Sequence, residues 1–205
     1  PVARAPRTSG SVPGAVAMLA AGATQAQARA VDEMRLGVVY HNIHTDHGDL
    51  TDPKEDGPNV ELEFVFKSFQ PLKLIGAPRP YVMASANTQG NTSFAAIGLA
   101  WRWEFAKGWA LEPTIGYAVH DGEKDIPLGL TSAQRTQFES EHQLLGSRDL
   151  FRESIAIEKE ISKRFAAQLY YEHLSHGQIL DHGRNQGLDE AGLKFVFRFS
   201  DDPSD

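Results

Sequence analysis

Apolar and polar residues alternate with period two along most of this chain from about Glu33 onward, the pattern of strands with two unlike faces. It is clearest near the C-terminus. There Phe165, Ala167, Leu169 and Tyr171 share one face, and His173 and Ser175 continue the same row. After a polar loop, Leu193, Phe195, Phe197 and Phe199 share a face that Asp189 continues. A hairpin makes the two strands neighbours, so a serine, a histidine and a carboxylate project from its apolar side. That is odd for packing and suggestive for chemistry.

Six earlier segments carry the same alternation, at about 33–43, 59–68, 80–88, 92–105, 109–120 and 148–161, which brings the predicted strands to eight. Lys107-Gly108 and Ser162-Lys163 are tight turns. A long loop, 121–147, and a medium one, 176–186, lie at the other ends of the strands. Short turns on one rim and long loops on the other are how an outer-membrane barrel is built. Within the long loop, Thr131-Ser-Ala-Gln134 is a capping-box pattern that predicts a rim helix to about Leu145.

Alternation alone leaves open whether the apolar face lines a soluble, lipocalin-like carrier or meets lipid. Three features favour lipid. The polar faces pool long side chains of both signs, Arg35, Lys67, Arg102, Arg152, Lys194 and Arg198 against Glu61, Glu63, Glu104, Glu112, Glu158 and Glu172, which a narrow barrel pairs internally. Trp103, Phe105, Trp109, Phe165 and Phe199 gather near the short-turn rim, with Tyr40, Tyr117 and Tyr171 toward the other, as two aromatic girdles. An even strand count returns the last strand to the short-turn rim. The expected fold is therefore all-β, an eight-stranded antiparallel transmembrane barrel of the outer membrane.

Composition narrows this further. The 205 residues contain no apolar run of about 20, which excludes a helical membrane protein but not a barrel. A formal charge of −7, with no basic stripe, argues against nucleic acid as a partner. Cysteine is absent, so there is no disulfide framework and no thiolate metal site. Residues 1–28 run from Arg4 and Arg7 through an Ala-rich apolar stretch to Ala26-Gln-Ala28, the order of a secretory signal cleaved after Ala28; a plain Ala-rich tail is the alternative. That leaves 29–205 as one barrel domain. His41, His44, Asp46, His47 and Asp49 crowd the first loop at spacings that can bind metal, but a solvated rim loop without metal is expected.

In a strand, residues two apart lie on one side, which brings the His173 imidazole and Ser175 hydroxyl within reach of each other, and Asp189 just past the loop can orient the imidazole. A one-residue slip in register would substitute Glu190 for Asp189. The run Tyr171-Glu-His-Leu-Ser-His-Gly177, followed by Asn185-Gln-Gly-Leu-Asp189 and a closing aromatic strand, resembles the lipid A 3-O-deacylases of the PagL type. The resemblance implies an outer-membrane serine esterase that removes the ester-linked 3-O acyl chain from lipid A, with its triad on the lipid-facing surface toward the outer leaflet. By position, Ser175 would be the nucleophile, His173 the general base and Asp189 the acid that the family usually supplies as Glu. His176 stands where the family commonly has Asn, so the oxyanion would be met by His176 or by backbone around Gly177. This chemistry requires no cofactor. The implied partner is lipopolysaccharide in the membrane, and a homodimer stays open. A non-catalytic structural or adhesion barrel is the competing reading.

Overall fold

In the computed structural model, which describes residues 30–43 and 54–199, the alternating segments close into one antiparallel ring. Its strands are β1 (Val31–Tyr40), β2 (Pro58–Phe66), β3 (Arg79–Asn87), β4 (Phe94–Ala100), β5 (Trp103–Ala106), β6 (Trp109–His120), β7 (Asp149–Ser162), β8 (Phe165–Ser175) and β9 (Leu188–Arg198). β4 and β5 are two stretches of one strand that both pair with β6, so the wall has eight passes. β1 pairs with β9 as well as β2, and β4 with β6, which closes the ring. The predicted signal segment 1–28 lies outside the described residues, as do His44, Asp46, His47 and Asp49.

Two local features depart from the alternation. A 3-10 helix (Gln70–Ile75) lengthens the connection between β2 and β3, so the rim opposite the long loops is not built of tight turns alone. The strand break at Trp101 and Arg102 serves this helix. Trp101 Nε1 donates to the Ile75 carbonyl at 2.8 Å, while Arg102 turns inward to reach Glu158 at 2.9 Å.

The apolar rows face outward: Leu36, Val38, Ile97, Ile115, Ile157, Leu169, Leu193 and Phe195 are all exposed. The girdle residues Trp103, Phe105, Trp109, Phe165, Tyr40 and Tyr117 are exposed with them. A continuous outer surface of this kind is solvated by lipid. Among the described residues, long charged side chains fill the interior. Arg35 donates to Glu33, Glu63 and Glu112, Arg79 to Glu33 and Glu112, Arg198 to Glu33 and Glu158, and Lys194 to Glu63 at 2.7 Å. The soluble carrier reading is thereby corrected, since its ligand would have to displace buried ion pairs. Glu104, grouped with these charges from its row, is instead exposed at the rim. Gly98 and Gly116 leave the space that the Tyr81 phenol fills, and that phenol accepts from Arg152 at 2.9 Å.

Toward the long-loop rim, Glu61, Glu172 and Glu190 bring carboxylate oxygens within 4.8 Å of one another. Each meets a cation: Lys194, shared with Glu63, for Glu61 (3.3 Å), Arg152 for Glu172 (2.5 Å) and His41 for Glu190 (2.5 Å). His41 also meets Glu55 at 3.1 Å, so it is a buried ion-pair partner rather than part of a solvated loop. It lies just beyond β1. Burial pushes its imidazole down, but the hydrogen bonds and charges of Glu190 and Glu55 outweigh this and raise it to about 9.

Two predictions follow from these pairings. Arg35→Met strips three buried carboxylates of a shared cation and should cost about 3–5 kcal/mol, read as a lower unfolding midpoint of the detergent-solubilised barrel. An unchanged midpoint would show the network to be dispensable. His41 titrates higher in the folded state than its ordinary 6.5, so its contribution is full below that value and is lost as pH rises through about 9. Thermal melts should therefore weaken from pH 7 to pH 10, and His41→Gln should flatten that dependence.

Candidate active site

The register of β8 with its two neighbours places the candidate residues. His173 lies opposite Asp189 of β9 on one side and Glu153 of β7 on the other, and Ser175 lies opposite Phe151. Because facing residues share a side of the sheet, His173, Ser175 and Asp189 all stand on the outer surface at the long-loop rim. His173 Nδ1 and Asp189 Oδ1 are 2.7 Å apart, with the imidazole 40% exposed and the carboxylate 16%. A carboxylate at Nδ1 keeps the proton there. That tautomer makes Nε2 the acceptor nitrogen of the ring. Ser175, two residues on in the same row, is half-buried.

Glu190 faces the other way. It is fully buried and held by His41 and by Asn59 Nδ2 at 2.8 Å. Two consecutive carboxylates of β9 thus serve opposite sides of the wall.

His176 is not on the outward row. Its Nε2 donates to the Arg184 carbonyl at 2.8 Å and its Nδ1 accepts from Gln178 N–H at 3.2 Å, with the ring fully buried. Both nitrogens are engaged with the loop, on the inner side of the wall from Ser175. Gly177, exposed and at φ 61°, lies over the Phe151 ring beside Ser175. Its backbone N–H is the remaining candidate near that position.

What periodicity could not supply is the support behind the imidazole. Gly187 has φ 69°, and a Cβ there would come within 2.9 Å of His173 Cε1. The loop therefore backs directly onto the ring, and only glycine fits. Gly187 is held in turn by the long loop. Gln143 Nε2 donates to the Gly187 carbonyl at 2.6 Å, Leu144 N–H to Gln186 Oε1 at 2.8 Å, and Gln186 N–H to the Leu144 carbonyl at 3.3 Å. Leu144 and Leu145 are fully buried beneath, Leu145 in one apolar cluster with Leu150, Leu174, Leu188 and Phe94. The capping box at Thr131 does start a helix, α1 (Ser132–Glu141), which ends before these leucines, where Leu145 turns down into that cluster. Asn185-Gln-Gly187, a turn signal just before a strand, was the one local hint of this contact.

The geometry thus brings His173 and Asp189 into contact, with Ser175 in the same outward row. Residues 61–198 match the family model described as lipid A 3-O-deacylase (PagL). Among solved structures, that of the outer membrane enzyme PagL is similar at a TM-score of 0.53 and 15% identity, covering 82% of this chain and 99% of that one. The N-terminal β-barrel domain of Pseudomonas aeruginosa OprF aligns at 0.47 and 8%, covering 83% and 99%, and Neisserial surface protein A at 0.47 and 10%, covering 82% and 96%. No curated protein matches the chain.

Gly187→Ala would push a methyl into the imidazole and strain a left-handed backbone. It should slow labelling of Ser175 by a fluorophosphonate by roughly tenfold or more, with barrel assembly, judged by gel mobility before and after heating, unchanged. Normal labelling would show that the loop does not position the ring.

Proposed function

Because the chain belongs to the lipid A 3-O-deacylase (PagL) family, we propose that this outer-membrane barrel is a serine esterase cutting the ester-linked 3-O acyl chain of lipid A. The observation that carries the reading is the 2.7 Å contact between His173 Nδ1 and Asp189 on the lipid-facing surface, in one row with Ser175. A charge-capable imidazole and carboxylate on that face have no packing role that leucine would not fill better, whereas an esterase needs both.

In this mechanism His173 Nε2 takes the Ser175 proton as Oγ attacks the acyl carbonyl. Asp189 offsets the charge that the imidazole acquires and holds its tautomer. The tetrahedral oxyanion is met by backbone N–H at Gly177, since the His176 ring is engaged with Arg184 and Gln178. Collapse returns the proton to the departing sugar oxygen and leaves an acyl-serine. Water, activated by the same imidazole, then releases the 3-hydroxy fatty acid. The substrate reaches Ser175 from the outer leaflet while still embedded in lipid, because the row opens outward.

Lipid A from cells that express the protein should lose one ester-linked 3-hydroxyacyl chain in mass spectra, and Ser175→Ala should abolish that loss while the barrel still assembles. Asp189→Asn should lower turnover by on the order of 10⁴-fold, whereas Glu190→Gln should act on stability and leave most turnover intact. Full activity in Ser175→Ala would end the serine mechanism, and sensitivity of Glu190 rather than Asp189 would reassign the acid.

A further inference from the structure

The proposed triad accounts for one of the contacts that Asp189 makes and leaves a shorter one unexplained. Tyr171 donates its hydroxyl to Asp189 Oδ1 at 2.5 Å, the same oxygen that faces His173 Nδ1. Tyr171 precedes His173 by two residues in the outward row of β8, and it lies opposite Ala191 of β9, two residues beyond Asp189. The phenol therefore crosses the hairpin diagonally, within the reach of a long side chain. Girdle tyrosines ordinarily point a hydroxyl toward the wet headgroup layer. This one spends it on a half-buried carboxylate.

We infer that Tyr171 is a positioning residue of the proposed reaction: its hydroxyl pins Asp189 Oδ1 beneath the His173 ring. The inference rests on the esterase reading. Its physical content is that aspartate is a short acid with two side-chain torsions, and a donor added to the oxygen that faces His173 narrows them further. That donor comes from a residue fixed in the middle of the wall, in register with Ile155 of β7 and Ala191 of β9, so it acts before substrate arrives. Alanine at 191 leaves the ring room to lie along the wall.

The test compares Tyr171→Phe with Tyr40→Phe, an exposed girdle tyrosine at similar height on β1, whose strand neighbour on β9 is also Ala191. In detergent micelles with purified lipid A, Tyr171→Phe should lower kcat about tenfold, the loss expected for a hydrogen bond to a charged group, with KM unchanged. Tyr40→Phe should match the wild type. Combined with Asp189→Asn, Tyr171→Phe should cause no further loss, because its effect passes through the carboxylate. An additive loss in the double variant, or a rise in KM alone, would make Tyr171 a lipid-contact residue and overturn the inference. A readout independent of turnover is the His173 Nδ1 proton in nuclear magnetic resonance spectra. It should move downfield in Tyr171→Phe, where the imidazole no longer shares its acceptor, and an unchanged signal also overturns the inference. If Ser175→Ala is inactive while Tyr171→Phe keeps full kcat, the positioning role alone fails; if Ser175→Ala stays active, the esterase reading fails with it.

Discussion

The barrel rests on one electrostatic constraint: long charged side chains that fill its bore must find partners inside it. Water is excluded from most of that space, and an isolated buried charge costs several kcal/mol even after relaxation. Arg35 answers this by serving Glu33, Glu63 and Glu112 together, and Glu158 by receiving Arg102 and Arg198. Arg35 with Glu112 and Arg102 with Glu158 join strands far apart in sequence, so they fix which rows point inward. Once that is fixed, every alternate residue of β7, β8 and β9 must point out, and the candidate triad inherits its place.

The constraint also explains why two adjacent carboxylates lead different lives. Glu190 completes the interior cluster with His41 and Asn59. Asp189, one residue earlier, is turned to the outside by the same geometry and meets His173. A shift of one residue would leave an unpaired carboxylate within the bore and an unsupported imidazole without. Interior pairing and exterior chemistry are thus locked to one register.

This is why so much was legible in the alternation. The rows through Leu193, Phe195 and Phe199, or through Lys194 and Arg198, carry their side assignment in the sequence itself, and Ser175, His173 and Asp189 could be placed on one face from parity. What parity lacks is reach. It could not show that His176 would be spent on the Arg184 carbonyl, that Tyr171 would cross to Asp189, or that Gln143 and Gln186 would clamp the loop behind His173. Those contacts join loops whose paths depend on where distant segments come to rest. The break at Trp101 was hidden for a related reason: continued alternation through Trp103 and Phe105 masks a turn made to cap the 3-10 helix.

The outward position of the Ser175 row changes what concentration means for the proposed reaction. An enzyme with an aqueous cleft samples substrate in three dimensions, at a rate set by molarity. In the proposed reaction the ester and the serine share one leaflet, so encounters are collisions of neighbours diffusing in a plane. The governing variable is the mole fraction of substrate among the surrounding lipids. Adding inert lipid or detergent dilutes the substrate even when its molarity is untouched, and the makeup of the surrounding leaflet becomes a means of control.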